Sequence, residues 1–267
     1  MSKPKIAASE SVLMVTETNG VTHLRLNRPD KLNALSGELL DALQQALESI
    51  AADPNARCVV LSGSGKSFCA GHDLAEMRAN PDKAYYQDLF VRCGAVMQSI
   101  VNLPVPVIAQ VHGIATAAGC QLVASCDLAI AARSTRFAVS GINVGLFCST
   151  PAVALSRNVL AKNAFDMLVT GEFISAETAV AYGLINQAVD DAALEEAVQA
   201  KVGTILRKDA NAIRYGKAMF QKQRGMALSD AYAFAGEVMA CNMMEPDTSE
   251  RIDAFIEKRH PRIGHSG

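Results

Sequence analysis

Two stretches of the chain gather the groups that could do chemistry. Residues 66–74 read KSFCAGHDL, and residues 113–127 read GIATAAGCQLVASCD. Each is a small-residue loop following an apolar, strand-like run, and the second continues into helical spacing. Backbone N–H groups at a helix start have no partner within the helix, so such loops can aim two amides at one oxygen. Rigid amide dipoles in a water-poor site stabilise a developing oxyanion, one donor typically being worth about 2.7–4 kcal/mol of barrier. Taken singly, Gly71 and Gly119 fit tight turns equally well.

These loops need strands and helices to hold them, and the pattern along the chain supplies both. Val21–Leu26 alternates apolar and polar residues as a half-buried strand does. Ser36 is placed to cap a helix with Leu39, Leu43, Leu47 and Ile50 on one face, ended by Asp53 and Pro54. Residues 58–61 are a short apolar strand, with the loop SGSGKSF after it. A helix over 85–101 presents Leu89, Cys93, Val96, Met97 and Ile100. Residues 103–106 break it, Val107–Val111 is a buried strand, 113–119 is a loop running into a helix over 120–125, and 128–131 is a strand. This strand–loop–helix repetition predicts an α/β fold with parallel crossovers. From about residue 200 only helices are predicted, with apolar spacing at Ala231, Phe234, Val238 and Cys241 and at Ile252, Phe255 and Ile256. That face needs a partner surface, on the core or on another subunit.

At these residues a resemblance enters. The chain resembles the enoyl-CoA hydratase/isomerase (crotonase) superfamily over nearly its whole length. It does so through LNRPDKLNAL at 26–35, KSFCAGHDL, PVIAQVHGIATAAGCQLVASCD, FAVSGINVGL from Phe137, TGEFISAETAVAYGLIN from Thr170, and AFIEKRHP at 254–261. The resemblance implies a right-handed ββα spiral core over 1–200 and a helical trimerisation region over 201–267, with trimers that often pair into hexamers. It implies an acyl-CoA thioester as substrate and no metal or redox cofactor. By motif position the oxyanion donors are the amides of His72 and Ala118. Arg28 and Lys31 are expected near the CoA phosphates. Ala34, Ala70, Asp73, Leu74 and Gly119 are expected along the bound substrate, and Phe255 and Lys258 at the CoA of a neighbouring subunit. Each of these charges also fits a solvated turn or helix face.

The departures from the family pattern decide the chemistry. Hydratases of this family carry a glutamate just after the turn of the second loop and another early in the next loop, to activate water and handle the α-proton. Here those positions are Gln121 and Gly141. Glutamine orients a water without taking its proton, and glycine does neither. Positioned acid–base catalysis is worth about 10²–10⁴-fold, so ordinary hydration is expected to be weak. His72, Asp73, Ser140, Asn143, Cys148, Ser149 and Thr150 remain, with Leu146, Phe147 and Met97 as candidates for a pocket wall. The AGHD segment resembles the oxyanion loop of bacterial methylmalonyl-CoA decarboxylase, where a histidine stands at this place. Decarboxylation needs no base, because loss of CO₂ itself creates the enolate. The His72 side chain can serve such a reaction or point away while its amide works. Cys148 is a thiol nucleophile only if a cation such as His72 lowers its pKa, and is otherwise a pocket-wall residue. Three readings stand: an altered acyl-CoA enzyme of the hydratase type, a decarboxylase or other lyase using His72, and a non-catalytic acyl-CoA-binding protein.

Composition narrows the setting. A net charge of -2, few aromatics and no tryptophan give no footprint for nucleic acid or an anionic membrane. No apolar run approaches the roughly 18 residues of a membrane span. The seven cysteines show no CxxC spacing, which predicts free thiols in a reducing compartment and no zinc site. The opening MSKPKIAASE lacks the features of a signal or transit peptide. A cytoplasmic protein is expected.

Overall fold

A computed structural model describes residues 11–262; the opening MSKPKIAASE lies outside them. β1 (Leu13–Thr18) and β2 (Val21–Leu26) pair antiparallel. Asn19 and Gly20 turn between them at φ 54° and 75°, the positive-φ pair that a two-residue hairpin requires. Only Leu13 of β1 is buried, so its sequence carries no alternation to announce it. α1 (Gly37–Ala52) is capped by Ser36, whose Oγ accepts from the Leu39 amide at 3.2 Å, and it buries the predicted face. β3 (Cys58–Gly63) lies parallel to β2. α2 (Leu74–Ala79) follows the first chemistry-bearing loop. α3 (Lys83–Asn102) buries Leu89, Cys93, Val96, Met97 and Ile100. β4 (Val107–Val111) is parallel to β3.

The second loop contains a strand that the sequence reading missed, β5 (Ile114–Thr116), before α4 (Ala118–Ser125). Three residues are too short a run for periodicity to mark. β6 (Leu128–Ala132) is parallel to β4, and β7 (Arg136–Ala138) is parallel to β5. α5 (Ser149–Leu155), α6 (Ala161–Thr170), β8 (Ile174–Ser175), α7 (Ala176–Tyr182) and β9 (Gln187–Val189) complete two sheets. Their strand orders are β1-β2-β3-β4-β6-β9 and β5-β7-β8. Strand alternation divides the core. Val59 and Leu61 enter the main cluster with α1 and α3, whereas Cys58 and Val60 face α8 (Leu194–Leu206) through Val198 and Val202. α8 thus packs on the sheet, and the expected division at residue 200 cuts through it.

α9 (Ala210–Gln223), α10 (Leu228–Met243) and α11 (Pro246–Ile256) follow. α9 is docked by one buried ion pair. Lys217 Nζ donates to Asp127 Oδ2 at 2.6 Å and to the carbonyls of Ile100 and Val105, while Asp127 also accepts from the Val107 amide. Burial raises the Asp127 pKa and lowers that of Lys217, each opposed by the partner's charge. Removing one partner strands the other charge, so Lys217→Met is expected to destabilise the fold by about 3–5 kcal/mol in urea melts. Adding Asp127→Asn should recover much of that loss. Ala231, Phe234 and Val238 of α10 are half-buried, whereas Cys241 and, on α11, Ile252, Phe255 and Ile256 are exposed, so the chain's own core covers the predicted apolar face only in part. Among the described residues no helix is long and apolar enough to cross a membrane.

Candidate active site

β5 brings the two chemistry-bearing loops together. The Cys69 amide donates to the Ile114 carbonyl at 3.1 Å and the Thr116 amide to the Cys69 carbonyl at 3.0 Å, stitching the first loop onto β5. On its other side the loop is bonded to Leu35: Leu35 N–H donates to the Gly71 carbonyl (2.8 Å) and Asp73 N–H to the Leu35 carbonyl (3.0 Å). Residues 71 and 73 therefore face Leu35, and the His72 N–H between them faces the opposite way. The two loops touch where glycine is obligatory. A Cβ on Gly71 (φ 93°) would lie 2.9 Å from Ala117 Cβ and 3.3 Å from Ala118 N, and one on Gly119 would lie 2.1 Å from the Cys69 carbonyl oxygen.

Ala117 closes the geometry. It adopts φ 50° and ψ -120°, a conformation alanine rarely takes and one that costs of order 1–3 kcal/mol. Its N–H donates to the Ala138 carbonyl and its carbonyl accepts from the Gln121 amide. The strained turn leaves the Ala118 N–H at the open start of α4. Neither this N–H nor that of His72 has an acceptor among the described residues. Two unpartnered amides on touching loops are what an oxyanion requires.

The side chains of His72 and Gln121 each carry an orphaned polar atom, Nε2 and Oε1, buried without a hydrogen bond. The His72 ring packs edge-on to Phe90 at 5.4 Å. Burial pulls its pKa down from 6.5 to about 4, with the charge of Glu76 opposing, so the imidazole is neutral near pH 7. The consequence for stability has a definite sign. Between pH 6.5 and about 4 the unfolded chain takes up a proton here that the folded chain refuses, so stability falls as pH drops through that window, by roughly 3 kcal/mol. His72→Asn is expected to flatten this slope in denaturant melts taken across the same pH range.

Gly141 and Cys148 interlock. The Gly141 carbonyl accepts from the Leu146 amide at 3.0 Å, closing a tight turn. A Cβ on Gly141 would stand 2.5 Å from the Leu146 carbonyl oxygen and 2.8 Å from Cys148 Sγ. Burial pushes the Cys148 thiol up, offset in part by the Gly141 backbone, and no cation acts on it. The condition for activation by His72 is therefore unmet, and Cys148 is a protonated wall residue beneath the turn. The thiols of Cys69, Cys93 and Cys120 are pushed up to about 12 by burial. All seven cysteines are free.

The other expected residues divide. Asp73 caps α2, accepting from the Ala75 and Glu76 amides, and pairs with Arg28 at 2.9 Å. Arg28 also donates to the Ala34 carbonyl, so it is turned inward and not presented to a phosphate. Ala34 is buried, Ala70 half-buried with its amide on the Leu32 carbonyl, and Lys31 and Leu74 are exposed. Ser140 hydrogen-bonds Thr116 at 2.8 Å, and Asn143 donates to the Gly171 carbonyl. Leu146 and Phe147 are partly exposed, but Met97 belongs to the α3 core. Phe255 and Lys258 are exposed at the end of the helical region. Sequence reasoning missed Glu76, whose carboxylate accepts from the Gly37 amide and the Tyr85 hydroxyl. Asp73 followed three residues later by Glu76 has the spacing of a capping box, but the Asp73 amide bonds the Leu35 carbonyl instead, so no local pattern announces the contacts Glu76 makes. A cavity of about 1360 Å³ lies elsewhere, between α9 and the core around Asp127 and Lys217.

Comparison with known proteins places the chain in a family. The family model described as enoyl-CoA hydratase/isomerase matches residues 16–265. The chain is 42% identical over 253 residues to the enoyl-CoA hydratase domain-containing protein 3, mitochondrial, of Xenopus laevis, covering 95% of this chain and 86% of that one. The solved structure of an enoyl-CoA hydratase from Mycobacterium smegmatis superposes with a TM-score of 0.94 at 57% identity, covering 95% of this chain and 99% of that one. Human enoyl Coenzyme A hydratase domain-containing protein 3 superposes at 0.91 with 41% identity, covering 94% and 100%. The Xenopus, rat and human relatives all carry the word mitochondrial in their names, which overturns the expectation of a cytoplasmic protein. The chain belongs to the enoyl-CoA hydratase/isomerase (crotonase) superfamily and has its fold.

Proposed function

We propose that the protein binds acyl-CoA thioesters and stabilises a thioester enolate between the amides of His72 and Ala118, with ordinary enoyl hydration weak. One observation carries this reading: the two N–H groups sit on touching loops and have no acceptor among the described residues. The family supplies the ligand class, and its relatives' names support hydratase-type chemistry and a mitochondrial setting. Gln121 and Gly141 take the places of the two glutamates. At Gly141 a Cβ would stand 2.5 Å from the Leu146 carbonyl oxygen, which supports a site without a second carboxylate. The exposed apolar side chains of α10 and α11 suit a homotrimer or a dimer of trimers.

A second reading is favoured by the orphaned, neutral His72 Nε2. In a malonyl-type thioester, loss of CO₂ breaks the bond to the α-carbon and leaves its electron pair there as the enolate, which water then protonates. His72 would hold the departing carboxylate. Mass-spectrometric turnover of enoyl-, hydroxyacyl- and malonyl-type CoA thioesters distinguishes the readings. Conversion of a malonyl-type substrate that His72→Ala abolishes supports the lyase. Conversion of an enoyl or hydroxyacyl thioester supports hydratase-type chemistry. Tight binding with no conversion across the panel contradicts both and leaves an acyl-CoA-binding protein.

A further inference from the structure

We propose that Arg28 is a positioning residue that fixes the oxyanion amide of His72 and makes no contact with phosphate; this rests on the enolate-stabilising reading above. The guanidinium is spent inside the protein. One arm donates to Asp73 Oδ2 at 2.9 Å and the other to the Ala34 carbonyl at 2.5 Å. The paired side chains are only 19% and 12% exposed, and Asp73 neutralises the charge that a phosphate would need. The same fork reaches both strands of the junction that aims His72. Ala34 precedes Leu35, which bonds to the Gly71 carbonyl and the Asp73 amide, and Asp73 follows His72. Arg28 thus ties residue 34 to residue 73 across the short ladder whose free edge is the His72 N–H.

The base of this buckle is equally fixed. The Arg28 amide donates to Asn33 Oδ1 at 2.9 Å. Asn33 is fully buried and donates to the Ser64 and Ser67 carbonyls, both at 2.8 Å. That side chain holds Leu32 and Asn33 in the left-handed region at φ 50° and 55°, which returns the chain toward the loop at 71–73. Asp73 is occupied on both oxygens, since Oδ1 accepts the Ala75 and Glu76 amides that start α2. Loss of Arg28 leaves the α2 cap in place and loosens only the link between 34 and 73. Misplacing a donor by about 1 Å is enough to cost on the order of 10²-fold in catalysis.

Two readouts on the same protein test this. CoA affinity by calorimetry reports phosphate contacts. The near-ultraviolet band of bound acetoacetyl-CoA reports the enolate, and this thioester ionises without a catalytic base. Arg28→Ala and Asp73→Asn are each expected to lower the bound enolate-to-keto ratio by about tenfold or more, with CoA affinity within about twofold of wild type. Because both break one link, the double variant should be no worse than either single one. Arg28→Lys, which keeps the charge but cannot span both acceptors, should restore little; it also serves if Arg28→Ala does not fold. A tenfold loss of CoA affinity with the enolate ratio unchanged makes Arg28 a phosphate ligand and overturns the proposal. Full rescue by lysine, or no effect of Asp73→Asn, also overturns it. A wild-type protein that binds CoA but gives no enolate band overturns the functional reading instead, and this proposal with it.

Discussion

Proline at Ala118 is expected to lower turnover and bound enolate by about 10²–10³-fold while leaving CoA affinity nearly unchanged. Proline removes the N–H outright. Ala118 is the first residue of α4, where proline's fixed φ suits a helix start and the missing donor takes no helical hydrogen bond with it. In this fold the Ala118 N–H has no acceptor among the described residues, so its loss breaks no internal bond. The site is buried, and a melting curve taken alongside separates a lost donor from a lost fold. A folded Ala118→Pro protein with wild-type turnover would remove this amide from the mechanism.

The second large effect is a substitution that should fail. From the sequence alone, placing glutamates at Gln121 and Gly141 promises to restore hydration. The structure reverses the expectation at Gly141. Any Cβ there would stand 2.5 Å from the Leu146 carbonyl, a backbone atom that moves only with its turn, and 2.8 Å from Cys148 Sγ. Gly141→Ala is expected to cost about 1–3 kcal/mol by overpacking, and Gly141→Glu at least as much. Cys148→Ala removes the sulfur clash but leaves the carbonyl, so it should rescue Gly141→Ala only in part. Gln121→Glu changes little volume and sets one carboxylate into the buried pocket. It should gain crotonyl-CoA hydration by itself, whereas adding Gly141→Glu should lower both stability and activity. Thermal melts and hydration assays of the single and double variants check this. A Gly141→Glu protein that melts like wild type would show that the turn accommodates a side chain.

Much of the scaffold was legible because long elements repeat their pattern. α1 and α3 bury the faces their spacing predicts, and the α/β alternation follows from strands bounded by breakers. β1 escaped because its strand is solvated on nearly every residue, and β5 because a run of three residues carries no period. At the site, sequence could name residues but not their partners. Arg28 looked like a phosphate ligand because a lone charge beside a turn says nothing of what it faces, and Asp73 lies 45 residues further along the chain. Cys148 looked open to activation by His72 until burial, with no cation beside it, set its pKa. Gly141 read as an absence, because the sequence does not show that the folded turn beneath it is closed. The setting was misjudged for a different reason: free thiols fit any reducing compartment, and only the relatives' names point to the mitochondrion.

The account rests on an oxyanion hole that works without a carboxylate base, and binding of acetoacetyl-CoA to the wild-type protein tests it most directly. Titration below the pH at which the free thioester ionises should produce the near-ultraviolet enolate band, and Ala118→Pro should lose that band while still binding. Saturable binding with no enolate band in the wild type would contradict the account and make the protein a keeper of acyl-CoA, not an enzyme acting on it.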